Sequence, residues 1–203
     1  MTLIEQLKQA PDVVLIIQKM QAYLKEEAQK RQEFLEMVHE DVKAEFINGE
    51  IILHSPVRMA HLRVSSRLSK HLMNHVDDDN LGFVGIEKMM ITLSRNCYEP
   101  DIVFYRKAIS DTFTADQKLF PAPDLVVEIL SESTRKNDYG VKFQDYAAHN
   151  VGEYWIVDAE EGKIEQYVLI ENQFELQASL SKTDTLASVV VHKLTIDLSK
   201  IFE

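Results

Sequence analysis

Apolar positions along this chain follow two periods, and the change from one to the other marks its elements. Between residues 12 and 40, Val13, Ile16, Ile17, Met20 and Leu24 recur at helical spacing, with Asp12 after Pro11 placed to cap the start. The polar run Glu26 to Glu33 continues that helix, and Phe34, Leu35 and Val38 resume its apolar stripe. A stripe of this kind predicts packing or oligomerisation rather than catalysis. A second helix is expected over Val57 to Val76, with Leu62, Leu68, Leu72 and Val76 turned inward, and a third over Asp138 to Ala148.

The remaining apolar runs are short, alternating and rich in β-branched residues, the pattern of half-buried strands. Asn48-Gly49 lies between Ala44-Glu-Phe-Ile47 and Glu50-Ile-Ile-Leu53 and predicts a hairpin, because both turn positions require positive φ. Further strands are expected over Phe83 to Leu93, Pro100 to Tyr105, Asp124 to Leu130, Glu153 to Asp158, Lys163 to Ile170, Phe174 to Ser179 and Leu186 to Val191. Ser131 to Asn137 reads as a loop. Trp155 and Phe174 sit in alternating apolar runs and are expected in the core. Helices bracketing a mixed sheet give an α/β or α+β fold. The chain divides into an N-terminal helical extension, 1–40, and one domain, 41–203.

Composition narrows the class. With 203 residues and 45% hydrophobic content the chain can bury a substantial core. No leader sequence and no twenty-residue apolar run is apparent, so a soluble cytoplasmic protein without a membrane partner is expected. The single Cys97 rules out an internal disulfide and a thiolate zinc site. A formal charge of −11 argues against broad attraction to nucleic acid but leaves room for a local basic groove. Arg58, Arg63, Arg67 and Lys70 are free of interspersed acids and offer one wall for such a groove, or else a solvated helix face balanced elsewhere.

Candidate chemistry centres on Glu128, a carboxylate flanked by Val126, Val127, Ile129 and Leu130. Such a charge is costly in a core unless a metal, a cation or a proton compensates it. Strand alternation puts Asp101, Val103 and Tyr105 on one face and Asp124, Val126 and Glu128 on one face, so two strands can bring two carboxylates together. Lys142 and Tyr146, one helical turn apart, can reach back over the strand ends. Glu45 is either an exposed strand residue or a third carboxylate of the cluster, and His61 can contact a phosphate or make only local hydrogen bonds. Convergent carboxylates with a lysine suit Mg²⁺ or Mn²⁺ and phosphodiester hydrolysis. A structural salt bridge, or the acid and base of a glycoside hydrolase, accounts for the same residue types.

Tyr98-Glu-Pro-Asp101, Pro123-Asp-Leu-Val-Val-Glu-Ile-Leu-Ser131, Ser133-Thr134, Asp138 with Lys142 and Tyr146, and Glu153-Tyr-Trp-Ile-Val-Asp158 together resemble the Uma2 family of restriction-endonuclease-like proteins. The resemblance extends upstream to Glu45-Phe-Ile-Asn-Gly-Glu-Ile-Ile52 and His61, and covers roughly residues 33 to 170. It implies the PD-(D/E)-x-K nuclease fold, a central mixed sheet flanked by helices, a bound Mg²⁺ or Mn²⁺, and DNA as substrate. By this resemblance Asp101 and Glu128 bind the metal, Glu45 joins them, and Lys142 activates or positions water. The superfamily places its lysine two residues after the acid, where this chain has Leu130, so Lys142 on the following helix would take its role. A homodimer is expected by analogy, with the N-terminal helix at the interface. A nuclease-like fold kept as a binding or assembly module is the alternative.

Overall fold

The computed structural model describes residues 2–38 and 43–203; the boundary expected at residue 40 and the last residues of the first predicted helix lie outside them. Two helices open the chain, α1 (Leu3–Gln9) and α2 (Val13–Met37). The hairpin β1 (Ala44–Ile47) and β2 (Glu50–Leu53) follows, then α3 (Met59–Asp78). Next come β3 (Gly82–Ile86), β4 (Met90–Thr92), β5 (Cys97–Tyr98), β6 (Ile102–Arg106), the short α4 (Lys107–Ser110), β7 (Leu119–Phe120) and β8 (Leu125–Ile129). After the single turn α5 (Arg135–Asp138) and α6 (Val141–Ala148) come β9 (Glu153–Asp158), β10 (Lys163–Ile170), β11 (Gln173–Ser181), β12 (Thr185–Ala187) and β13 (Thr195–Asp197).

The strands form a six-stranded sheet in the order β11-β10-β9-β8-β6-β3, a five-stranded sheet in the order β2-β1-β5-β4-β7, and the pair β12-β13. The six-stranded sheet is mixed, because β8 and β9 run parallel while its other neighbours are antiparallel. Alternation along the central strands divides the core in two. Ile102, Phe104, Leu125, Val127 and Trp155 face one side, where Val64, Leu68, Leu72 and Val76 of α3 pack. Val103, Tyr105, Val126, Tyr154 and Ile156 face the other, against Tyr146 of α6 and Phe174 of β11. Among the described residues no helix is long and apolar enough to cross a membrane.

Several elements differ from expectation for local reasons. The stretch expected as one strand from Phe83 to Leu93 is two strands in different sheets, broken where Glu87 and Lys88 take positive φ. In the stretch expected as a loop, Arg135–Asp138 forms a helical turn, and Gly140 separates it from α6: a Cβ there would lie 2.6 Å from the Lys136 carbonyl oxygen. Asp12 stands at the N-cap of α2 but makes no side-chain cap bond. On α3 Leu68, Leu72 and Val76 turn inward as expected, but at its start His61 takes the inward position and Leu62 remains 39% exposed. The strand expected from Leu186 to Val191 ends at Ala187.

That early end has a cause in Glu153, fully buried at the start of β9. Its Oε2 accepts hydrogen bonds from Ser188 Oγ and from the amides of Val189 and Val190, which draws residues 188–190 away from a ladder. Its Oε1 accepts from Trp155 Nε1 at 2.7 Å and Gln166 Nε2 at 2.6 Å. Because both oxygens face donors only, Glu153→Gln sets an NH₂ group against one of those sets whichever way the amide turns. The substitution is expected to cost about 2–3 kcal/mol, read as a lower midpoint in urea denaturation.

Candidate active site

The site forms where the six-stranded sheet meets the β1–β2 hairpin. Asn48 (φ 52°) and Gly49 (φ 88°) turn that hairpin as the sequence predicts, and β1 pairs outward with β5 through Phe46 and Cys97. This pairing sets Glu45 next to the chain leading into β6. The Glu99 amide donates to Glu45 Oε1 and the Ala44 amide donates to Glu99 Oε2, each at 3.0 Å, a reciprocal clasp across the two strands. The i, i+2 alternation then carries Lys43 and Asp101 to the same side.

Ile102 faces Val127 and Val103 faces Val126 in the antiparallel β6–β8 pair, so Asp101 comes level with Glu128. The Ile129 amide donates to Asp101 Oδ2 at 2.8 Å, fixing the carboxylate at the strand end. Asp101 Oδ1 lies 3.2 Å from Lys43 Nζ and 3.3 Å from His61 Nε2. Glu128 Oε1 accepts from Lys142 Nζ at 3.0 Å and from the Tyr146 hydroxyl at 3.2 Å. Lys142 also lies 2.9 Å from Glu45 Oε1 and 3.3 Å from Asp138 Oδ1. One ammonium group, 1% exposed, therefore serves three carboxyls.

Asp101, Glu128, Lys142, His61 and Lys43 line one cleft of about 590 Å³, with Ser131, Ser133, Thr134, Arg58 and Arg135 toward its mouth. Glu45 is fully buried and is not part of that lining; it stands behind Lys142. His54 Nε2 lies 3.2 Å from its second oxygen, close but misaligned for a hydrogen bond. On the basic face expected of α3, Arg58 pairs with Glu160, and Arg67 donates to the carbonyls of Ile201 and Glu203.

Charge in this pocket is unequal. Five buried carboxyls, Glu45, Glu99, Asp101, Glu128 and Asp138, face the ammonium groups of Lys43 and Lys142, a formal excess of three negative charges before the histidines are considered. Burial opposes ionisation of Asp101, but His61 and Lys43 outweigh it and hold the carboxyl at about 2. Glu45 is likewise held at about 2 against burial, chiefly by the Lys142 charge. Burial wins at the other three: Glu99 and Asp138 are raised, and Glu128 is pushed up to about 8. Lys142 resists burial because Glu128, Glu45 and Asp138 keep it charged. Burial therefore favours the protonated form of Glu128, even with the Lys142 ammonium 3.0 Å away.

These donors fit a hard divalent cation. Among the described residues no group of three His, Cys, Asp or Glu side chains is placed to hold a metal ion. Mg²⁺ rarely uses such a group; it takes one or two carboxylates and keeps the rest of its shell for water and phosphate oxygens. Asp101 and Glu128 on one cleft wall would supply that pair, and His61, whose Nε2 faces Asp101, has its Nδ1 buried without a hydrogen-bond partner. Lys43, Glu99 and Asp138 were not among the residues singled out from the sequence as the site. The signal for the first two is their position two residues before Glu45 and Asp101, on the same strand face.

A model of the Uma2 family, described as "Putative restriction endonuclease", matches residues 31–199. The uncharacterized protein sll1609 of Synechocystis sp. is 30% identical over 128 residues, which span 62% of this chain and 71% of that protein. A crystal structure described as a putative nuclease belonging to DUF820, from Anabaena variabilis, superposes with a TM-score of 0.72 at 19% identity, covering 84% of this chain and 96% of that one. At that identity the likeness is one of fold.

Proposed function

The chain belongs to the Uma2 family, and from that premise we propose that it is a metal-dependent endonuclease hydrolysing DNA phosphodiester bonds, with Asp101 and Glu128 as metal ligands. The observation that carries the reading is the meeting of these two carboxyls at adjacent strand ends in one cleft, with the Lys142 ammonium 3.0 Å from Glu128. Mg²⁺ or Mn²⁺, when bound, supplies Lewis-acid polarisation of the phosphoryl group and a more acidic water.

The chain's own residues do the rest. The Ile129 amide and His61 fix the Asp101 carboxylate, so it is oriented before substrate arrives. Lys142 orients the attacking water and stabilises negative charge developing on the phosphoryl oxygens, an effect strengthened by its exclusion from bulk solvent. Glu45 acts through Lys142, holding the ammonium group in place from behind. At the mouth, Arg58 and Arg135 stand where backbone phosphates would pass, each now paired with an acid, Glu160 and Asp158.

Nicking of supercoiled plasmid tests the proposal. With Mg²⁺ or Mn²⁺ the protein is expected to convert plasmid to open-circular form, and chelation or Asp101→Asn to abolish the reaction. Equal cleavage by wild type and variant would trace the activity to a contaminant. The formal charge of −11 favours a second reading, a nuclease fold kept as a binding or assembly module. Titration calorimetry separates them, since a module that has lost its site takes up neither ion.

A further inference from the structure

The N-terminal part of α2 is covered only at its margins among the described residues, by α1 at its start and by Arg95, which donates to the Tyr23 hydroxyl. Val14, Leu15, Ile17, Met20, Tyr23 and Leu24 are between 46% and 62% exposed. Of these, Ile17, Met20 and Leu24 share one face of the helix and leave a continuous apolar strip open to solvent. This stretch also precedes residues 31–199, the part matched by the family.

The spacing along α2 shows what the surface is built for. Val13, Ile17, Met20, Leu24, Glu27, Arg31 and Phe34 follow one another at intervals of four and three, the repeat of a coiled-coil seam. The last three face the body of the protein. Glu27 accepts two hydrogen bonds from Arg95, Arg31 donates to the Leu93 carbonyl and to Cys97 Sγ, and Phe34 is buried beside Phe46. The first four continue the same seam past the body into solvent, and none of them is charged. The nearest cation within that span, Lys19, lies off the seam.

We propose that this seam pairs two copies of the chain through an antiparallel α2–α2 contact about a two-fold axis, with Val13 of one copy against Leu24 of the other and Ile17 against Met20. The antiparallel direction follows from the body's position. It occupies the seam at Glu27, Arg31 and Phe34, so a parallel partner would run into it, whereas an antiparallel one sets the two bodies at opposite ends of a seam about 17 Å long. The contact is independent of the chemistry in the cleft.

Light scattering on the full chain is expected to give about twice the 23.4 kDa protomer mass, falling to the protomer mass for Ile17→Lys. That variant should weaken dimerisation by roughly a hundredfold or more, because it buries two ammonium groups without partners. Its circular dichroism should stay at the wild-type value, because Ile17 supports nothing in the body, while the concentration dependence of the unfolding midpoint that a dimer shows should disappear. Under oxidation, Ile17→Cys chain mixed with Met20→Cys chain should cross-link faster than either variant alone; Cys97 is buried and does not compete. A monomeric wild type, an Ile17→Lys protein that still dimerises, or a monomer that instead binds lipid vesicles through this stretch would overturn the assignment.

Discussion

Lys142→Met will cost about 3–5 kcal/mol of stability, the range for removing one partner from a buried ion pair. The ammonium group is 1% exposed and contacts Glu45, Glu128 and Asp138, so its loss leaves three buried carboxyls facing one another. For a chain of this size that lowers the thermal midpoint by roughly 10 °C or more. The pH dependence is distinctive. Glu45 is held at about 2 in the folded protein against an ordinary 4.5, so its pairing stabilises the fold above about 4.5 and that stability is lost as pH falls toward 2. The variant lacks this contribution, so its deficit against wild type is largest at neutral pH and shrinks in acid, where protons do what the lysine did. Thermal unfolding followed across pH checks this; a deficit that stays constant or grows in acid would remove Lys142 as the charge that keeps Glu45 ionised.

Much of the architecture could be read from periodicity. The Asn48-Gly49 hairpin, α3, the strands around Asp101 and Glu128, and Lys142 and Tyr146 on one face of α6 all follow from local patterns that tertiary structure did not override. The sequence failed where a distant partner decides. Nothing near Val189 and Val190 announces that their amides bond Glu153, and without that contact the run Leu186 to Val191 looks like a strand. Similarly, the apolar run from Phe83 to Leu93 conceals a change of sheet at Glu87 and Lys88, a break made by backbone conformation rather than by a Gly or Pro.

The site was legible as residue types and only partly as an arrangement. Alternation predicts that Asp101 and Glu128 can share a face, and the β6–β8 register makes them neighbours. The same logic does not fix which side of Lys142 Glu45 occupies, because β1 belongs to another sheet and is joined to the site through β5. Glu45 reads in sequence as either an exposed strand residue or a third carboxylate of the cluster, whereas in space it is buried and backs the lysine rather than lining the cleft. Helical spacing around Leu62 erred by one residue, and that single step turns His61 toward Asp101.

Glu128→Gln separates the chemistry from the fold. At neutral pH the Glu128 carboxyl is held protonated by burial, pushed up to about 8, so glutamine is close to its equal in shape and charge and still offers an oxygen to Lys142 and Tyr146. Stability without metal is therefore expected to stay near wild type, unlike that of Lys142→Met. Metal-dependent cleavage is another matter, since the amide cannot shed a proton to take a divalent cation. A loss of roughly a thousandfold, about 4 kcal/mol of transition-state stabilisation, is expected, with calorimetric Mn²⁺ uptake weakened in parallel. The paired measurement makes the test sharp: a variant that unfolds readily would show that Glu128 serves the core, and one that cleaves at the wild-type rate would remove it from the proposed metal site.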